Sequence, residues 1–188
     1  MRVLQQFETE PHTCAYLPDR EAVLEYQYVA RMTPQEYEDR MNRGFRKFGP
    51  MIFRPVCGAC TECRPIRIPV AEFQLDRSQR RAWKRNADLE IRLGAPAVDE
   101  ERLELYHRYH EVQSNRKGWP ETERDTREYA FSFVHSPIPG VEISMWEAGR
   151  LRAVVLTDVT PNVVSGVYHY YEPELADRSI GTYCTRSE

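Results

Sequence analysis

The sequence predicts a mixed α/β protein of the α+β kind: a cysteine-rich N-terminal domain, residues 1–92, followed by a second domain, residues 93–188, built on an antiparallel sheet. Three observations lead there. Helix signals are confined to the first two thirds of the chain. Three β-rich runs then follow one another with only turns between them. Between the first helix and the later ones, Cys57, Cys60 and Cys63 place three thiols within one short stretch. A chain of 188 residues is long enough to bury a core without a disulfide framework.

A short N-terminal strand or loop comes first. Thr33-Pro34-Gln35-Glu36 then joins a capping threonine, a first-turn proline and a glutamate three residues on, which is a helix start. That helix is expected to run to Asn42 or Arg43, with Gly44 as its stop because glycine tolerates the left-handed backbone. Phe45 to Phe48 and Met51 to Arg54, parted by Gly49-Pro50, read as a hairpin leading into the thiol loop. Beyond it Ile66, Ile68 and Val70 alternate with Arg67 and Pro69, the pattern of an edge strand. Asp76 to Ala87 reads as a helix, and Asp99 to Gln113 as another with Leu105, Tyr106, Tyr109 and Val112 along one stripe. A loop is expected between Asn115 and Thr126, around Gly118-Trp119-Pro120. Val141 to Glu147, Leu151 to Val159 and Val163 to Tyr171 complete the pattern as three antiparallel strands, separated by Ala148-Gly149-Arg150 and Pro161-Asn162. The composition shift over Leu93 to Ala97 marks the domain boundary, and no repeat or low-complexity tract occurs.

The first residues contain no apolar leader and no later run approaches bilayer length, so a cytoplasmic protein without a membrane partner is expected. Thiols stay reduced there, and an odd count of five cysteines argues against pairing. Cys57-x2-Cys60-x2-Cys63 therefore reads as a ligand cluster, since two intervening residues let one turn aim both sulfurs at the same centre. Cys14 is the natural fourth ligand. Three crowded thiols and a remote one suit a cubane iron–sulfur cluster better than zinc, whose four-cysteine sites usually present two Cys-x2-Cys pairs. Zinc, a redox-sensing pair and ordinary reduced thiols remain the alternatives. Arg54, Arg64 and Arg67 are expected to offset the thiolate charge, and Cys184 lies in a polar tail with no partner in view.

Net charge is -3, so any nucleic-acid surface must be local, and no DNA partner is expected. One stretch qualifies: Arg77, Arg80, Arg81, Lys84 and Arg85 fall within nine residues that contain no acid. On a helix, Arg77, Arg81, Lys84 and Arg85 share a face with Arg80 beside it, a concentrated partner for phosphate. Trp83 either stacks on an unpaired base or packs into the core; the blander reading of the whole helix is a solvated face paired with acids such as Glu90. His107 and His110 lack the His-Glu-x-x-His pattern of a metal helix. No nucleophile elbow, Walker loop or dinucleotide fingerprint occurs, so neither a hydrolase triad nor a nucleotide cofactor is expected.

Taken together, the segments from His12 to Arg20, from Arg54 to Arg67 and from Ser78 to Trp83 resemble the N-terminal half of the aminoacyl-tRNA-protein transferases, the arginyltransferases and bacterial aspartate/glutamate leucyltransferases of the N-end rule. Lys117 to Glu121, Gly166 to Pro173 and Arg178 to Tyr183 resemble their C-terminal half, in the same order. The resemblance implies transfer of an aminoacyl group from charged tRNA to the α-amine of a protein beginning with Asp or Glu, which marks it for degradation. It also implies a GNAT-like fold for the second domain and, from the eukaryotic relatives, an iron–sulfur cluster on Cys14, Cys57, Cys60 and Cys63. In the family the chain continues past the Gly-Thr-Tyr position through a helix and a further strand, so the acyltransferase domain is expected to be incomplete at its C-terminal end.

An aminoacyl ester is already activated, so such an enzyme needs proximity, a neutral amine and a donor for the developing oxyanion rather than a covalent nucleophile. Glu172 and Asp158, at the ends of predicted strands, are candidate bases; Tyr168 and Tyr170 are candidate donors. Arg178 or Lys117 is the candidate reader of the acidic substrate side chain, and the basic helix the candidate contact for the tRNA acceptor arm. Two rival functions are a metal-stapled RNA-binding module without catalysis and a sensor whose cluster reports oxygen or iron.

Overall fold

The computed structural model describes residues 1–118 and 125–187. They form two compact units: Met1–Phe73 with His135–Ile138 and Thr160–Val163, and the remaining described residues. The units are drawn differently from a boundary between 92 and 93, for the basic helix and the strand after it belong with the second unit.

The first unit carries the strands β1 (Arg2–Glu8), β2 (His12–Thr13), β3 (Glu21–Ala22), β4 (Leu24–Arg31), β5 (Arg46–Phe48) and β6 (Met51–Pro55), and the helix α1 (Pro34–Met41). Helix α1 starts as expected, with Thr33 and Glu36 closing a reciprocal capping box, and Gly44 follows it at φ 83°. The hairpin β5–β6 forms in the predicted place. It extends a sheet of order β1-β4-β6-β5, whose buried face carries Val29 and Ile52 against Met32, Tyr37, Phe45 and Ile138. On the alternate positions Phe7, Tyr26 and Phe53 stack across three strands at 5.4 and 5.5 Å. Within the sheet the Glu25 carboxylate accepts from Gln6 Nε2 at 3.0 Å, Gln27 Nε2 at 2.9 Å and Arg54 Nε at 2.7 Å, which is how a buried acid is tolerated.

The edge strand expected over Ile66 to Val70 does not form. Only a single 3₁₀ turn, Val70–Glu72, is present there, and Ile66 and Val70 are 89% and 87% exposed. Pro65 and Pro69 remove ladder donors on both sides of the run, and alternation without a neighbouring strand stabilises nothing.

The second unit begins with α2 (Arg77–Arg85), β7 (Glu90–Gly94), α3 (Glu100–Lys117) and α4 (Thr126–Tyr129), the last continuing into a π-helical turn, Ala130–Val134. Then come β8 (Gly140–Glu147), β9 (Arg150–Val159), β10 (Val164–Tyr171), a 3₁₀ segment (Pro173–Arg178) and α5 (Ile180–Ser187). The three predicted antiparallel strands are thus present, and β7, whose last two residues fall in the stretch read as a boundary, joins them in the order β10-β9-β8-β7. Ala148 and Gly149, at φ 51° and 76°, make the tight β8–β9 turn. A one-residue irregularity in β10 between Gly166 and Tyr168 resets its register on β9.

Helix α3 outruns its predicted end by four residues because no breaker precedes Gly118, whose left-handed backbone closes it. Its stripe also differs from expectation: Leu103, Leu105, Tyr109, His110 and Gln113 are buried, whereas Val112 is exposed. The loop expected after it lies for the most part outside the described residues. Cys184 is no tail residue; it is fully buried on α5 among Ile143, Met145, Ala153, Val155, Ile180 and Tyr183. No helix of the described residues is long and apolar enough to cross a membrane.

Near the start of β8, Glu142 is 2% exposed and accepts from Arg102 Nε at 3.0 Å and Nη2 at 2.5 Å, which raises the arginine's pKa. Removing one member of a buried pair strands the other, so Glu142→Ala is expected to cost about 3 kcal/mol, read as a lower urea midpoint. An unchanged midpoint would show that solvent replaces the carboxylate.

Candidate functional site

The thiols lie in the first unit. Pairing of β4 with β6 brings Val56 to Val23, with a 2.9 Å bond from Val56 N–H to the Val23 carbonyl, and leaves the next residue, Cys57, with its sulfur on the Val23 backbone. Cys60 N–H donates to the Cys57 carbonyl at 3.4 Å, so Cys57-Gly58-Ala59-Cys60 is a turn, as the spacing required. The β2–β3 hairpin adds Cys14, whose N–H donates to the Arg20 carbonyl, and it aims Arg20 Nη1 at Cys60 Sγ, 3.3 Å away. The Cys14 hairpin is therefore linked to the Cys57–Cys60 turn through Arg20. Even so, among the described residues no three His, Cys, Asp or Glu side chains are grouped as an ion would require.

The cation on the Cys60 sulfur, Arg20, is not among those expected. Arg54 sits opposite Glu25 in the β4–β6 register and is bound to it, with its guanidinium 4.7 Å from the Phe45 ring. The Glu62 backbone N–H foremost, then the Arg20 guanidinium, lower the Cys60 pKa. Arg20→Ala is accordingly expected to raise that pKa and slow alkylation of Cys60 by iodoacetamide at pH 7 several-fold, measured by peptide mass spectrometry. Equal rates in the two proteins would show that the contact has no electrostatic effect.

In the second unit, α2 is capped by Asp76, whose carboxylate accepts from Gln79 N–H at 2.8 Å. Arg77, Arg80, Arg81, Lys84 and Arg85 are all exposed on it, while Ala82 is buried. The expected partner Glu90 instead binds Arg92 at 2.8 Å. Trp83 is only partly covered, with its ring 5.1 Å from that of Tyr183. Arg178 anchors the end of the helix: Nε donates to the Arg85 carbonyl at 3.0 Å, Nη1 to Glu147 at 2.9 Å and Nη2 to Asp88. Asn86 Nδ2 adds a bond to the Arg178 carbonyl at 3.0 Å. Lys84, Arg85, Ala87, Asp88, Asp177 and Arg178 line an open concavity there. With every guanidinium nitrogen engaged, Arg178 builds this wall. Lys117 is exposed in the last turn of α3.

Of the predicted catalytic residues, Tyr168 and Tyr170 lie on β10, whereas Asp158 on β9 and Glu172 just past β10 lie towards opposite ends of the β9–β10 ladder. Asp158 is buried within β9, in register with Gly140 and Ser165. Glu172 is buried and accepts from Arg108 Nη2 at 2.9 Å. Tyr170 is fully buried, its hydroxyl 2.5 Å from that of Tyr129, and burial raises its pKa far above the usual phenol value. Tyr168 alone is partly exposed among the four, and its hydroxyl lies 2.8 Å from His110 Nε2.

Sequence reasoning weighed His110 only as a metal ligand and so missed this pairing. The available signal was the i, i+4 spacing of Tyr106 and His110, which places their rings 4.2 Å apart on α3. Tyr106 also meets Tyr129, Phe133, Tyr168 and Tyr170, with centroids 5.3 to 6.2 Å away, and burial pushes its pKa up to about 12. Phe133, carried on the π-helical turn, stacks on Tyr168 at 5.3 Å. The result is an imidazole–phenol pair in an aromatic wall, with the imidazole buried and the phenol partly exposed.

Two family models match the chain in order: "Arginine-tRNA-protein transferase, N terminus" over residues 12–81 and "Arginine-tRNA-protein transferase, C terminus" over residues 101–188. An aspartate/glutamate leucyltransferase of Pseudomonas fluorescens (strain Pf0-1) is 38% identical over 182 residues, 96% of this chain and 76% of the relative. One from Pseudomonas savastanoi pv. phaseolicola is 39% identical over the same shares. One from Helicobacter hepaticus is 32% identical over 181 residues, 95% of this chain and 75% of the relative.

Proposed function

Because the chain belongs to the aminoacyl-tRNA-protein transferase family, we propose that it moves leucine or arginine from aminoacyl-tRNA to the N-terminal α-amine of proteins that begin with Asp or Glu, marking them for N-end rule degradation. The observation that carries this reading is the continuity of the match: 182 residues, 96% of the chain, align with aspartate/glutamate leucyltransferases. Leucine is on that ground the favoured donor group. The second unit is read as a GNAT-like acyltransferase body.

The exposed cations of α2 supply the charge that a tRNA acceptor arm needs, and Lys84 and Arg85 among them line the Arg178 concavity together with Asp88 and Asp177. Lys117, exposed where α3 ends, is the remaining candidate for the acidic substrate side chain. The reaction asks little of the protein beyond placement: an α-amine with a pKa of about 8 is partly neutral at pH 7, and the ester is its own activated acyl donor.

Incubation of the full chain with radiolabelled leucyl-tRNA or arginyl-tRNA and peptides starting with Asp, Glu or Lys tests the reading. Label is expected on the acidic peptides only, with leucyl-tRNA the better donor. Bound tRNA without labelled peptide would assign the chain to a non-catalytic RNA-binding role. Reversing Arg81 and Lys84 to Glu is expected to weaken tRNA binding at least tenfold and to flatten its salt dependence, since each lost phosphate contact removes about one unit of the log–log slope. A slope unchanged in this variant would place the tRNA elsewhere.

A further inference from the structure

We propose that Tyr168 and His110 form a proton relay for the transfer: the phenol oxygen takes the proton of the attacking α-amine while the phenol's own proton passes to His110 Nε2. This inference rests on the function proposed above. The two atoms are 2.8 Å apart, already in the arrangement that a relay needs. The pair is layered, since Tyr168 is partly exposed and His110, 9% exposed, stands behind it. Both rings are held: the imidazole by Tyr106 at 4.2 Å and Tyr109 at 5.7 Å, the phenol by Phe133 at 5.3 Å.

The other acid–base groups nearby are committed. Glu172 is bound to Arg108, the Tyr170 hydroxyl is sealed against Tyr129, and Asp158 is buried in the sheet. A phenol by itself is a poor base, and burial raises the Tyr168 pKa further, so its oxygen accepts a proton only if it gives one up in the same motion. His110 is suited to receive it. Burial foremost, and then the neighbouring His107, lower its pKa below the ordinary 6.5, which leaves the imidazole neutral at pH 7. The titratable groups facing it are Tyr106, His107 and Tyr109 on its own helix and Tyr168 on β10, with Tyr129 and Glu128 beyond Tyr106.

The step balances without an oxidant or reductant. The amine nitrogen bonds to the ester carbonyl carbon, and the carbonyl π pair moves onto oxygen. On collapse the carbonyl re-forms and the bond to the terminal ribose oxygen of the tRNA breaks. The proton lost by nitrogen, held at Nε2, returns through the phenol to that ribose oxygen, giving an amide and deacylated tRNA.

Single-turnover transfer from saturating leucyl-tRNA to a peptide beginning with Asp, followed from pH 5 to 9, tests the relay in the full chain. The wild-type rate is expected to rise through one limb below pH 6.5, from His110, and a second near pH 8, from the α-amine. His110→Gln is expected to lose the lower limb and to run about 100-fold slower at pH 7, with leucyl-tRNA binding unchanged. Tyr168→Phe, which keeps the ring and its stacking, is expected to show a similar loss and covers the case in which His110→Gln does not fold. Variants that keep both the rate and the lower limb overturn the relay and leave the proposed function standing, whereas a wild-type chain that transfers nothing overturns both. An NMR titration placing the wild-type His110 pKa above 6.5 also overturns the relay, whatever the activity.

Discussion

The antiparallel ladder through β9 is the constraint on which the second unit depends. From Leu151 to Asp158 every residue of that strand is buried, so both of its faces are covered and a shift in either neighbour would expose apolar side chains. Val155 is held between Ile143 and His169, and Val154 between Ser144 and Tyr170. Once that register is set, the irregularity between Gly166 and Tyr168 decides which side chains of β10 meet α3. Tyr168 and Tyr170, two residues apart, both reach Tyr106 of that helix. The imidazole–phenol pair is thus a consequence of sheet register before it is a matter of chemistry.

Buried charge in this protein is spent on structure. Glu25 gathers three donors, Glu142 takes two nitrogens of Arg102, and Glu172 holds Arg108. Each of these carboxylates gains enough hydrogen bonds to offset its desolvation, and each becomes a weaker candidate for moving protons in a reaction. Arg178 follows the same logic from the cationic side, tying α2 to Glu147 and Asp88. Neutral groups are left for the chemistry: a phenol whose pKa burial raises and an imidazole whose pKa burial lowers.

The thiol loop shows how local spacing and tertiary placement separate. Two residues between cysteines do produce a turn, and the β2–β3 hairpin does bring the Cys14 neighbourhood to it. What spacing does not specify is where four sulfurs point. Cys57 turns to the Val23 backbone and Cys60 to Arg20.

The sequence by itself determined the features that are settled within a few residues: the capping boxes at Thr33 and Asp76, the stop at Gly44, the turn at Ala148-Gly149 and the three consecutive strands they lead to. The exposed cations of α2 were legible for the same reason, since a helix of known period places them without reference to anything distant. Tertiary structure decided the rest, because those outcomes depend on partners far away in the chain. Ile66 to Val70 alternates like a strand and forms only a 3₁₀ turn, Leu93 and Gly94, at the start of the stretch read as a boundary, pair with β8, and Cys184 ends a polar stretch yet is buried in the core. His110 met Tyr168, 58 residues on, only when α3 packed against β10, a contact that no local pattern encodes.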